Sequence, residues 1–87
     1  MGRIQLMRRD VDKIIEAVGP RVTKLTIPTA FRDDFLGYLS GRKVQLASPC
    51  KTDVWNGIES AYTEFEISLG FEVTSAIFDE WKGQADR

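Results

Sequence analysis

The sequence predicts a small α+β domain: three to four short strands forming one sheet, with two to three helices packed on it. Two observations carry this expectation. Along the 87 residues, the apolar spacing switches between a helical period and strict alternation. The segments are also short, broken by Gly19-Pro20, Pro28, Gly41 and Gly70. A chain of this length builds one core, so residues 1–87 are read as a single domain, with 84–87 as a fraying tail. Nine aromatic residues (five Phe, two Tyr, two Trp) supply that core.

Ile4 and Leu6 alternate with Arg3 and Gln5, which suggests a short strand. Val11, Ile14, Ile15 and Val18 then fall at i, i+3, i+4 and i+7, which predicts a helix over 11–18. Asp10 would cap it, and Gly19-Pro20 would stop it. The β-branched run Val22–Ile27 reads as a strand ended by Pro28. Thr29 opens a second helix carrying Phe31, Phe35, Tyr38 and Leu39 on one side, closed at Gly41. Arg42–Ala47 reads as a strand, and Ser48-Pro49 as a turn.

The next stretch carries two competing periods. Trp55, Ile58, Tyr62, Phe65 and Leu69 fit a helical stripe, whereas Thr63, Phe65, Ile67, Leu69, Phe71 and Val73 alternate with Glu64, Glu66, Ser68, Gly70 and Glu72. Asn56-Gly57 suits a turn better than a helix. The longer alternation decides for a helical turn at 53–60 and a strand over about 62–73. A closing helix follows, capped by Thr74 and stapled by Val73 and Phe78, with Ile77, Phe78 and Trp81 facing the core and Gly83 at its end.

The composition excludes much chemistry. Histidine is absent, which removes Ser-His-Asp and Cys-His catalysis and most zinc sites. The single cysteine, Cys50, forms no internal disulfide framework and has no histidine to activate it. That usage fits a reducing, cytoplasmic setting. No apolar run reaches membrane-spanning length, and no cofactor motif is found. Ser48-Pro49-Cys50-Lys51 matches the bare S-x-x-K pattern, but companion motifs are missing and Pro49 does not suit the helix start that the pattern needs. Glu64 and Glu66 share one side of a strand about 7 Å apart, a spacing open to a hydrolase pair or a cation. A solvated acidic strand face explains them more simply.

Charge is the strongest functional signal. Residues 1–51 hold ten basic against five acidic side chains, and residues 52–87 hold two against eight. The near-neutral total therefore conceals halves of +5 and −6. Arg21, Lys24, Arg42 and Lys43 fall at or beside strands and could form a phosphate-binding patch. Alternatively, the acidic half packs against them and cancels them.

Leu25-Thr26-Ile27-Pro28-Thr29-Ala30-Phe31-Arg32-Asp33 resembles the strand–Pro–helix step of the AbrB/MraZ swapped-hairpin family. In that family, a short helix, a glycine turn and another strand follow, here Gly41 and Arg42 to Leu46. The resemblance lies within residues 21–46; Pro20 and Thr23 replace an acidic residue and a glycine that normally precede the strand. It implies a dimeric DNA-binding regulator or antitoxin in which Arg21 and Lys24 contact DNA.

Two expectations follow. The first is a non-enzymatic protein-binding module, an inhibitor or adaptor of the kind found among phage accessory proteins. It would be anchored by Trp55 or Tyr62 and steered by its charge, including Glu64 and Glu66. The alternative is a nucleic-acid-binding regulator using Arg21, Lys24, Arg42 and Lys43. No cofactor, metal or membrane is expected, and a homodimer remains open.

Overall fold

The computed structural model describes residues 7–84. The sequence-derived strand at Ile4 and Leu6 and the end of the tail lie outside them. One antiparallel sheet of four strands carries two helices, so the fold is α+β. In chain order the elements are β1 (Ile14–Gly19), β2 (Val22–Pro28), α1 (Arg32–Gly41), β3 (Leu46–Trp55), β4 (Ile58–Ile67) and α2 (Phe71–Gly83). Short 3-10 turns at Arg8–Asp10 and Thr29–Phe31 precede β1 and α1. The sheet order is β1-β2-β4-β3. β4 thus lies between β2 and β3, which run parallel to one another.

Alternation along the two central strands builds the core. Leu25 and Ile27 of β2, and Phe65 and Ile67 of β4, are buried on one face. They meet Phe35 and Leu39 of α1 and Ile77, Phe78 and Trp81 of α2 in one cluster. Phe35 stands at its centre, edge-on to Phe65 at 5.2 Å and to Trp81 at 5.0 Å between ring centroids. Such geometry sets the positive ring edge against a negative ring face and adds to the hydrophobic gain. Both helices lie on this side, and among the described residues no helix covers the opposite face of the sheet.

The helix expected over 11–18 is instead the lead-in and first strand of a hairpin. Ile14 pairs with Thr26, Ile15 with Leu25 and Glu16 with Lys24. Val11 is buried, Ile15 packs against the core, and Ile14 and Val18 face outward. Four apolar residues that fit one helix face are thus divided between two faces of a strand. Gly19 ends β1 opposite Val22, and Pro20-Arg21 make the hairpin turn where a helix stop was expected.

The second helix forms up to Gly41, but it begins at Arg32: Thr29–Phe31 is a 3-10 turn, and the Thr29 hydroxyl is used on the Ser60 carbonyl instead of capping the helix. Phe35 and Leu39 are buried, with Phe31 and Tyr38 packed beside them. The helix's left-handed terminal residue is Lys43 (φ 58°), not Gly41. The strand assigned to residues 42–47 begins only at Leu46 and runs through Ser48-Pro49 to Trp55. Proline is tolerated there because β3 is an edge strand, and edge strands have amides that need no partner. Two register shifts around Ser48 bulge it further.

The helical turn expected at 53–60 is replaced by the β3–β4 hairpin, whereas the strand expected over 62–73 forms as far as Ile67, as part of β4, and then gives way to a bend at Ser68–Gly70 and to α2. Asn56 (φ 52°) and Gly57 (φ 78°) both adopt left-handed backbone, the signature of a type I′ turn. The final helix begins at Phe71 rather than after Thr74. Thr74 is buried in its first turns and donates to the Leu69 carbonyl at 3.4 Å. Val73 is exposed, so it forms no staple with buried Phe78. No described helix is long and apolar enough to cross a membrane.

Candidate functional site

β2 pairs with β4 only as far as Pro28 opposite Tyr62. Residues 53–61 therefore extend beyond the three-strand part of the sheet as a two-stranded arm. At its end Trp55 faces Ile58 and Val54 faces Glu59 across the turn. Trp55 is 80% exposed, Ile58 73% and Val54 61%. All three are apolar, Trp55 the largest side chain type in the chain, and the fold buries none of them.

A row of hydroxyls braces the base of the arm. Arg32 Nη1 donates to Thr52 Oγ1 at 3.2 Å, Thr52 and Thr63 lie 2.6 Å apart, Thr63 and Thr29 2.9 Å apart, and Thr29 donates to the Ser60 carbonyl at 2.7 Å. The ends fix the direction of every bond. A guanidinium can only donate and a carbonyl can only accept, so Thr52 donates to Thr63 and Thr63 to Thr29. Arg32 also donates to Glu59 at 2.7 Å. That hydrogen bond and the Glu59 charge hold the Arg32 guanidinium above its usual pKa.

The open face of the sheet continues from the arm. By strand alternation and register it carries Trp55, Ile58, Tyr62, Glu64 and Glu66 with Lys24, Glu16 and Ile14 beside them. Asp10, Asp12, Ile14, Pro28 and Tyr62 enclose a hollow at its edge. Lys51 stands opposite Glu64 on β3, and Asp53 follows on the same side. Ser48, Cys50, Lys51, Glu64 and Glu66 share a shallow groove along the bulged part of β3.

The charged half-chains are largely cancelled on the helical side. Lys13 bridges to Asp79 at 2.9 Å, Arg32 to Glu59, and Arg42 to Glu80, each joining the basic half to the acidic half. Arg8 adds a bridge to Asp34 at 2.7 Å, donates to the Trp81 carbonyl at 2.9 Å and lies 4.9 Å from the centre of the Trp81 ring. The Glu80 hydrogen bond raises the Arg42 pKa, and burial, followed by the Glu80 hydrogen bond, raises that of Tyr38.

The residues singled out from sequence divide into two sets. Lys24, Trp55, Tyr62, Glu64 and Glu66 come together on the open face and its arm, with Trp55 and Tyr62 both exposed. Arg21, Arg42 and Lys43 lie apart from it. Arg21 is in the β1–β2 turn, Arg42 is engaged with Glu80 and Tyr38, and Lys43 follows α1. Lys24 is itself 3.5 Å from Glu16. Sequence reasoning missed Val54, Ile58 and Ile14 as surface groups, because it spent Ile58 and Ile14 on helix faces. The Asn56-Gly57 hairpin signal, flanked by Val54-Trp55 and Ile58, was the clue that could have found the arm. Among the described residues no group of three or more metal-ligating side chains converges. Comparison of the chain with family models, with curated proteins and with solved structures returns no significant match.

Proposed function

We propose that this chain is a non-enzymatic protein-binding module whose partner seats on the β3–β4 arm and the open sheet face. The observation that carries the reading is Trp55, 80% exposed at the tip of a braced hairpin beside Ile58 and Val54. Burying an aromatic or large aliphatic side chain yields about 1.5–3 kcal/mol, so this cluster holds a substantial unused driving force. Tryptophan and tyrosine are also the side chains that dominate interface energies. The type I′ turn and the hydroxyl row hold the arm in one shape, which lowers the ordering cost of association.

The test compares capture of host proteins by three forms of the full chain: wild type, Trp55→Ala/Ile58→Ser, and Arg21→Gln/Lys43→Gln. The reading expects specific capture by wild type, its loss in the arm variant and its retention in the basic-residue variant. It also expects no shift of duplex DNA in a gel at physiological salt. A salt-steep duplex shift that disappears in the Arg21→Gln/Lys43→Gln variant would establish the nucleic-acid-binding alternative instead.

A further inference from the structure

We infer that the open face receives a cationic, amphipathic segment of a partner protein, its apolar side chains against Trp55, Ile58 and Tyr62 and its lysines or arginines against Glu64 and Glu66. The inference rests on the protein-binding reading above and adds the chemistry of the partner.

The argument begins with where charge is left over. On the helical side Arg8, Lys13, Arg32 and Arg42 are each matched by a carboxylate. On the open face and its edge hollow stand six carboxylates, those of Asp10, Asp12, Glu16, Asp53, Glu64 and Glu66. Among the described residues two ammonium groups accompany them on that face, Lys24 and Lys51, leaving a formal charge of −4. Of the six, only Glu16 forms a salt bridge among the described residues. The sequence looked basic at one end and acidic at the other. Folding turns that polarity into a neutralised helical side and an acidic, partly apolar sheet face.

This arrangement discriminates among occupants. A second copy presenting the same face would set −4 against −4, and a like-charge juxtaposition opposes docking. Nucleic acid brings phosphates to carboxylates and is repelled for the same reason. A segment of alternating apolar and basic residues satisfies both features. Lysine and arginine also cover apolar surface with their methylene stems while their charged ends reach carboxylates.

Two probe peptides of equal length test this on the full chain, one alternating leucine with lysine and the other leucine with glutamate. Trp55 is exposed and Trp81 fully buried, so a change in tryptophan emission reports the arm. The leucine–lysine peptide is expected to shift emission to the blue and shield Trp55 from acrylamide, and to bind more weakly as salt rises. Glu64→Gln/Glu66→Gln should weaken that binding about tenfold, the effect of roughly 1.4 kcal/mol. Glu72→Gln, a charge change on exposed α2, should leave it within about twofold. Binding of the leucine–glutamate peptide with equal affinity overturns the inference. So does leucine–lysine binding that ignores Glu64→Gln/Glu66→Gln, or concentration-dependent burial of Trp55 without peptide. If host capture requires Trp55 but not Glu64 or Glu66, the partner chemistry is wrong while the protein-binding reading stands.

Discussion

Thr52 and Thr63 face each other across β3 and β4 with their hydroxyl oxygens 2.6 Å apart. Thr63 is fully buried, and its hydroxyl accepts from Thr52 and donates to Thr29. It is therefore the middle link between α1, which contributes Arg32, and the arm, which contributes the Ser60 carbonyl.

Thr63→Val should break that relay. Valine fills the same space but leaves the Thr52 donor and a Thr29 acceptor without their partner, at a cost of about 1–3 kcal/mol. Thr63→Ser, which keeps the hydroxyl, should cost less. Denaturant unfolding measures both. Hydrogen exchange should further show faster opening of the amides in 53–61 for Thr63→Val than for Thr63→Ser.

Two glycine substitutions should act in opposite directions. Gly57 holds φ +78° at the tip, and a Cβ there meets nothing within 4 Å, so Gly57→Ala suffers from backbone strain alone, about 1–2 kcal/mol. Gly37 lies inside α1, where a Cβ also meets nothing within 4 Å. Gly37→Ala should raise stability by up to about 1 kcal/mol through helix propensity. Thermal melts of the two variants should fall on either side of wild type.

Phe35→Ala should be the most damaging of the substitutions named. Its ring contacts Phe65, Phe78 and Trp81 at the meeting point of both helices and the sheet. Truncation of such a core aromatic costs about 3–5 kcal/mol, a large share of the stability of so short a chain. A loss smaller than that of Thr63→Val in the same denaturant series would contradict the central role given to Phe35.

Alkaline pH should expose Tyr38. Burial, with the Glu80 hydrogen bond behind it, favours the neutral phenol in the folded state, so its pKa lies above the ordinary value of about 10. The stabilisation is fully present below the unfolded pKa and is lost as pH rises through the folded one. Ultraviolet titration of the phenolates should resolve a late component that Tyr38→Phe removes. The same variant should flatten the alkaline arm of the stability–pH curve.

How far the fold could be read depended on whether local pattern and tertiary burial agreed. They agreed for Val22–Ile27, whose β-branched alternation is buried and solvated by turns, and for Phe31–Leu39, whose apolar side meets the sheet. They disagreed at Val11–Val18, where helical spacing coincided with a strand that turns Ile14 and Val18 to solvent. They disagreed again after Ile67. There the alternation continues into Leu69, Phe71 and Val73, but the chain bends and enters α2. Pattern reading assumes that large apolar residues seek the core. Trp55 and Ile58 break that assumption, and the arm was hidden for the reason that makes it a candidate site. The exposed aromatics Trp55 and Tyr62 and the carboxylates Glu64 and Glu66 were nevertheless legible as candidate side chains. Their common face emerged only from the register of β4 against β2 and β3.

The strand order imposes a schedule on biosynthesis. β3 touches the rest of the sheet only through β4, which is made after it. A nascent chain that has emerged only as far as Gly57 holds the first hairpin and α1, but its third strand has nowhere to dock. Not until Ile67 clears the ribosome can the central seam between β2 and β4 zip, and α2 must follow before the interior is sealed.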